Sequence, residues 1–286
     1  MPKSKKGIIA FQGELGANSH IMCQQAYPEM DVLPCDSFDM AFKAVEDGAA
    51  DLAMIAIENS LAGRVADIHH LLPNSKLHMI AEYFLPIRFH LMAVKGAQLT
   101  DIKDVYSHVV GLPQCRNFIN QHGYKTHVAA DTAGSARMVS EWGDKTKAAI
   151  APKIAADIYG LEILAENIED AAHNTTRFVV FSRDEVAVAA GDGVMITSFL
   201  FRVTNVPAAL YKVMGGFATN GINMIKLESY QVEGNFSATQ FYAEIEGHPD
   251  DEAVKHAFSE LKFFTKYVKL FGTYKRNDFR NKYVAS

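Results

Sequence analysis

The chain has 286 residues, 49% hydrophobic and 21% charged, which supplies a real core for one large domain or two to three smaller ones. Its formal net charge of −5, with basic residues scattered apart from Lys3, Lys5 and Lys6, argues against a nucleic-acid binder, which would present a basic face. No apolar stretch approaches the ~18 residues of a membrane span, and the run Ile8-Ile9-Ala10-Phe11 is too short and too close to Glu14 for a secretory signal.

Residues 7–12 read as a strand, and 13–20 as a loop feeding a helix with Ser19 as its N-cap. Residues 37–47 read as a helix closed by Gly48, followed by the buried strand Leu52-Ala53-Met54-Ile55-Ala56-Ile57. Strand, helix and strand in this rhythm indicate a parallel α/β sheet. The pattern then returns: Ala41, Gly48, Ala53, Ile55 and Ala56 recur as Ala136, Gly143, Ala148, Ile150 and Ala151, a constant shift of 95 (136 − 41). Such an echo predicts two similar lobes with a cleft between them, a preferred place for a small molecule. The apolar stretch 79–94 would carry the chain into lobe two, and 162–181 would bring it back.

A polar stretch follows, and beyond it the rhythm changes. Strand 194–203, helix 207–219, strand 222–231, turn 232–235, strand 236–246, helix 250–261 and strand 264–272 give the βαββαβ order of a ferredoxin-like unit. Three cysteines, Cys23, Cys35 and Cys115, are too far apart for a disulfide framework or a zinc pattern, and the expected setting is the reduced cytoplasm. His69 and His70 are adjacent, not at the i, i+4 spacing that puts two ligands on one helix face, and no metal is expected.

Two polar clusters carry the chemistry. Asn174-Thr175-Thr176-Arg177 stands at the mouth of the apolar run Phe178-Val179-Val180-Phe181, and Glu58-Asn59-Ser60 follows the run 52–57 in the same way. In open α/β sheets, strand ends and the loops beside them are where ligands bind. Were the strand to have begun by Thr176, Thr176 and Phe178 would share one face and Arg177 the other.

These words also carry a resemblance. The chain resembles the prephenate dehydratases, through Thr176-Arg177-Phe178, Glu58-Asn59-Ser60, Tyr106-Ser107-His108, Gln114-Cys115, Asp131-Thr132-Ala133 and Tyr159-Gly160-Leu161, in family order from about Gly7 to about Tyr274. The resemblance implies a catalytic domain over 1–185 with the two-lobed, type 2 periplasmic-binding-protein-like fold. Lobe one would take about 7–78 and 162–183, and lobe two about 79–161. A linker at 186–193 would lead to a ferredoxin-like ACT regulatory domain at 194–286.

It further implies a lyase that converts prephenate to phenylpyruvate, expelling the ring hydroxyl as water and the ring carboxylate as CO2, with no cofactor. Thr176 is expected to donate to the departing hydroxyl, an electrostatic role. Arg177 would bind a carboxylate bidentately or form a structural ion pair, and Phe178 would be substrate platform or core. Glu58 would be a general acid or a structural carboxylate, while Asn59, Ser60 and Ser19 would hold a substrate carboxylate with N–H groups of helix starts. Cys115 is read as packing.

For the ACT-like segment the resemblance implies phenylalanine as allosteric effector, with Asn205, Ala208, Ala209, Leu210, Asn223, Glu228 and Ser229 lining pockets in a homodimer or homotetramer. Two departures stand out: Ala208 replaces the family's glycine, and Tyr230-Gln231 replaces Arg-Pro. Arogenate dehydratase, or a cytosolic sensor without catalysis, are the competing readings.

Overall fold

The computed structural model describes residues 7–65, 68–204, 206–232 and 235–283. The chain opens with β1 (Ile8–Gln12), α1 (Asn18–Ala26), β2 (Asp31–Cys35), α2 (Phe38–Glu46), β3 (Leu52–Asn59), β4 (Gly63–Arg64), α3 (Ile68–Leu71) and β5 (His78–Pro86). There follow β6 (His90–Ala93), β7 (Asp104–His108), α4 (Arg116–His122), β8 (Lys125–Ala129), α5 (Thr132–Trp142), β9 (Lys147–Ala151), α6 (Lys153–Tyr159), β10 (Glu162–Ala165) and β11 (Thr175–Ser182). The last part holds β12 (Met195–Val203), α7 (Ala209–Thr219), β13 (Met224–Val232), β14 (Asn235–Glu246), α8 (Glu252–Phe264) and β15 (Thr265–Lys275).

One sheet has the order β2-β1-β3-β11-β5, with β4 paired to β3, and a second has the order β8-β7-β9-β6-β10. In both, a central strand pairs in parallel with the strands on either side of it, β1 with β2 and β3, β7 with β8 and β9. The expected echo is carried into the register: Ala53 lies opposite Ala10 and Ala148 opposite Val105, the same shift of 95 (148 − 53 and 105 − 10) on both strands. Gly48 and Gly143 both adopt positive φ just after their helices, at 82° and 63°, where a side chain would be strained. Ile9, Ala10, Phe11, Ala53, Met54 and Ile55 are wholly buried, as parallel strands covered on both faces require.

The lobes are therefore real, but their limits differ from 7–78 with 162–183 and 79–161. β5 belongs to the first sheet and β10 to the second, so the chain crosses after Pro86 and returns after Ala165. The apolar run 79–94 is two strands. Arg88 breaks it, paired to Glu169 at 2.9 Å, while the other oxygen of Glu169 accepts the Phe89 N–H at 3.0 Å. Hydropathy alone does not reveal a break held by a partner 81 residues away.

The chain divides into two compact units, Met1–Val65 with Tyr83–Phe178, and Ala66–Glu82 with Val179–Ser286. Both lobe sheets have their central strands in the first unit. In the second unit, β12, α7, β13, β14, α8 and β15 form an antiparallel sheet of order β13-β14-β12-β15, the ferredoxin-like βαββαβ arrangement. Phe199, Phe201 and Val203 of β12 pack with Val213 and Phe217 of α7 and with Phe258 and Leu261 of α8.

The segment 66–82 joins this unit for reasons no local pattern contains. Lys269 donates to the carbonyls of Leu72 and Pro73 at 3.2 and 3.1 Å, and also to that of Ser75, closing the turn after α3. The guanidinium of Arg280 forks onto Glu82 at 2.8 Å through both oxygens and reaches Glu244 at 3.5 Å; both carboxylates are fully buried. Gly272 lies against the backbone of Met79 so closely that a Cβ there would stand 2.1 Å from the Met79 carbonyl oxygen.

Two backbones in van der Waals contact leave no room to relax. Gly272→Ala is expected to destabilise this unit by about 3 kcal/mol, the upper end of the usual overpacking cost. Urea denaturation of the full chain measures this, and an unchanged unfolding curve would mean that the two backbones do not meet.

Candidate active site

β11 begins at Thr175, so the strand has started by Thr176 and the alternation is fixed. Thr176 sits half-buried at the strand's mouth, while Arg177 is 2% exposed. The neighbouring strand β3 runs on through Glu58 and Asn59, two residues beyond the expected 52–57, because Glu58 and Asn59 pair with Arg64 and Gly63 in a short hairpin. The two polar clusters therefore lie side by side on adjacent strands β3 and β11.

Asn59 is the hub. Its Oδ1 accepts the backbone N–H groups of Leu61 and Ala62 at 2.9 and 2.8 Å. That fixes which end of the carboxamide is nitrogen. Its Nδ2 donates one hydrogen to Asn174 Oδ1 at 2.8 Å and the other to Thr176 Oγ1 at 3.0 Å. Asn174, fully buried, passes the pattern on by donating its own Nδ2 to Gln114 Oε1 at 2.6 Å. Gln114 lies in lobe two, after β7, so the chain of amides spans both lobes.

Several expected roles change in this geometry. Asn59 has both amide hydrogens and both oxygen lone pairs engaged and retains no group for a substrate carboxylate. Ser60 Oγ donates to the His173 carbonyl and accepts the Thr175 N–H, both at 3.0 Å, so it ties the two strand ends together. A turn, not a helix start, follows it. Arg177 forms the ion-pair alternative, Nη1 to Glu58 Oε1 at 2.8 Å. Glu58 is thereby engaged as the structural carboxylate of that pair. Phe178, 1% exposed, is core.

Ser19 is not an N-cap. α1 starts one residue earlier, Ala17 is its cap without a side-chain bond, and Ser19 is 9% exposed inside the helix. The Gly16 N–H is taken instead by His20 Nδ1 at 2.9 Å, and burial holds the His20 imidazole below its ordinary pKa, suiting it to accept.

The lobes are also joined at that loop. Arg137 of α5 grips Glu14 with Nε and Nη2 at 2.8 and 3.0 Å, a bidentate pair, and Tyr159 OH donates to the Leu15 carbonyl at 2.8 Å. Cys115, beside Gln114, is fully buried; burial pushes its thiol well up, with Asp170 and Glu169 adding to the effect, so it is not a nucleophile. Among the described residues no group of three or more His, Cys, Asp or Glu side chains is arranged to hold a metal ion.

Sequence reasoning assigned no role to Gln114 or Asn174. Both stood inside quoted motifs, but an asparagine before a strand reads locally as a turn residue. Its partners, 60 and 115 residues away, are visible only in the fold.

In the second unit, Asn205 lies outside the described residues. Ala208 is the N-cap of α7 and adopts φ 62°, the left-handed conformation that the family's glycine would take without strain. Glu228 is already engaged, by Lys226 at 3.0 Å and by the hydroxyl of Tyr230 at 2.5 Å. Asn223 donates to Glu246 at 2.9 Å, and Ser229 is exposed. Ala208, Ala209 and Leu210 begin α7 and Asn223 follows its end, with the 11 residues of the helix, about 16 Å, between them. In one copy of the chain, Ala208 and Asn223 therefore lie at opposite ends of α7.

The family model described as prephenate dehydratase matches residues 9–186. The chain belongs to the prephenate dehydratase family. It is 47% identical over 275 residues to a bifunctional N-acyl-homoserine lactone acylase/prephenate dehydratase of Komagataeibacter europaeus, covering 96% of this chain and 98% of that one. It is 36% identical over 280 residues to arogenate dehydratase/prephenate dehydratase 1, chloroplastic, of Arabidopsis thaliana, covering 93% of this chain and 71% of the relative. The prephenate dehydratase of Arthrobacter aurescens, solved in complex with L-Phe, superposes with a TM-score of 0.87 at 29% identity, covering 95% of this chain and 90% of that one.

Proposed function

We propose that this chain catalyses the decarboxylating dehydration of prephenate to phenylpyruvate. The observation that carries this reading is the bond from Asn59 Nδ2 to Thr176 Oγ1. Because the Thr176 oxygen accepts there, its own hydrogen is available to a substrate, and no other partner of that hydroxyl exists among the described residues. An alcohol polarised by an accepted hydrogen bond is a better donor.

In the reaction, the ring C–OH bond breaks and the oxygen leaves as water with one added proton. The bond from the ring to its carboxylate breaks to release CO2, and that electron pair completes the aromatic ring. A threonine alcohol is too weak an acid to yield its proton outright, so Thr176 stabilises charge on the departing oxygen while the proton comes ultimately from solvent. Gln114, with its amide nitrogen unpartnered among the described residues, offers a second donor from the opposite lobe for a substrate carboxylate.

A second reading has support from likeness: the Komagataeibacter relative, 47% identical, is named for an acylase activity as well. Amide hydrolysis by nucleophilic catalysis calls for a hydroxyl or thiol hydrogen-bonded to a base. The acylase reading rests on that likeness alone, whereas the Asn59–Thr176 bond supports the dehydratase, which is therefore the leading reading. Arogenate, with an amino group in place of the side-chain keto group, presents the same ring chemistry; comparison of kcat/KM for the two substrates ranks them.

The purified chain is expected to form phenylpyruvate from prephenate. Thr176→Ala should lower kcat about 10²-fold with a native fold, the usual loss of one donor aimed at developing charge. Activity unchanged in that variant would remove Thr176 from the mechanism, and no turnover by the wild type alongside hydrolysis of an N-acyl-homoserine lactone would favour the second reading.

We further propose that the second unit is an ACT-type regulatory domain over about 194–286, that phenylalanine is its effector, and that the chain works as a homodimer or homotetramer. The ferredoxin-like sheet and the L-Phe complex of the Arthrobacter relative support this. The separation of Ala208 from Asn223 along α7 supports a pocket shared by two copies. An effector acts only through its differential affinity for two states. Calorimetric titration of the full chain with phenylalanine should show binding, and prephenate turnover should fall in parallel. Neither heat nor inhibition in a folded oligomer would leave this unit a dimerisation module.

A further inference from the structure

We propose that Asn174 is a positioning residue for the reaction: by accepting one hydrogen of Asn59 Nδ2 it holds the carboxamide plane that aims the other at Thr176, and by donating to Gln114 Oε1 it turns that residue's amide nitrogen outward on the facing lobe. The inference rests on the dehydratase reading above. Asn174 touches no reacting atom, since its side chain is wholly buried and every polar group on it is used. Its Oδ1 accepts from Asn59 at 2.8 Å, its Nδ2 donates to Gln114 at 2.6 Å, and its carbonyl accepts the Ile87 N–H at 2.8 Å.

The orientation of each amide follows from its neighbour. The backbone N–H groups of Leu61 and Ala62 hold Asn59 Oδ1, so Asn59 Nδ2 must face Asn174 and Thr176. Asn174 must then present oxygen to Asn59, leaving its nitrogen for Gln114. Gln114 must present oxygen to Asn174, which leaves its own nitrogen, with two hydrogens, free to donate. The backbone thus sets the polarity of Asn59, and one buried amide takes up the second hydrogen of Asn59 Nδ2 and passes that polarity on to Gln114 on the other lobe. It also sits on the return crossover after β10, where the lobes are linked. Loss of Asn174 would leave the Asn59 carboxamide with its polarity but without one of the bonds that hold its plane, and would leave Gln114 without the donor that orients it.

A residue that acts through Thr176 has a distinctive kinetic signature. Asn174→Ala is expected to lower kcat about tenfold to 10²-fold, because it disturbs a donor used chiefly in the transition state, and to raise KM about threefold to tenfold, because it releases Gln114 from its orientation toward a substrate carboxylate. In a Thr176→Ala background the same substitution should cost kcat less than threefold, since the group it positions is already gone. Asn174→Ser, smaller and still able to hydrogen-bond, serves as the second variant, with circular dichroism melting to confirm that each protein is folded. Full loss from Asn174→Ala in the Thr176→Ala background as well, or unchanged kcat in a folded Asn174→Ala protein, would overturn the proposal, as would an Asn174→Ser protein no more active than Asn174→Ala when both are folded. Absence of prephenate turnover in the wild type would instead overturn the dehydratase reading, so the two failures are distinguishable.

Discussion

A carboxamide has four hydrogen-bonding positions, and in Asn59 all four are taken by groups whose own polarity admits no reversal on that side. Two backbone N–H groups decide where the oxygen is, and the nitrogen must then donate to Thr176. Everything proposed for the chemistry depends on this saturation. Were Asn59 free to turn, Thr176 could donate to it, and its hydroxyl hydrogen would be spent within the protein. The two-lobed fold provides the setting: β3 and β11 are neighbours in one sheet, so their polar mouths coincide, and the crossover from the second sheet delivers Asn174 to both.

Beside this network, Arg177 and Glu58 form a pair on the same two strands, with the arginine side chain 2% exposed and the glutamate 32%. Removing Glu58 would take one partner from a guanidinium held out of water, where charge is costly to leave uncompensated. Such a pair is better suited to holding β3 and β11 in register than to meeting substrate. Within the Thr-Arg-Phe motif, Thr176 is half-buried at the strand's mouth, Arg177 is paired with Glu58 on the next strand, and Phe178 is core. Residues that travel together as a motif do not all touch the ligand.

Much of the fold could be read from the residues. The repeat at a shift of 95 foretold two lobes, and the register of β1 with β3 and β7 with β9 carries it pair by pair. The βαββαβ order of the last part was equally legible, since each strand and helix there has its own apolar period and turn residues. What was not legible depended on contacts far apart in sequence. Glu169 splits the 79–94 run, Gly272 and Lys269 draw 66–82 into the second unit, and Asn174 reaches Asn59 and Gln114. Ala208 is a different case. The sequence marked it as standing in the family's glycine position, and its left-handed backbone, φ 62°, gives the physical reason that glycine belongs there.

Asn59→Asp tests the direction of the Asn59–Thr176 hydrogen bond at nearly constant volume. An aspartate retains an oxygen for the Leu61 and Ala62 N–H groups but puts a second oxygen where Nδ2 was, so the Thr176 hydroxyl would have to donate inward. The variant's kcat should fall about 10²-fold, as large a loss as removing a transition-state donor outright, with an unaltered circular dichroism spectrum. A folded Asn59→Asp enzyme with wild-type kcat would contradict that direction.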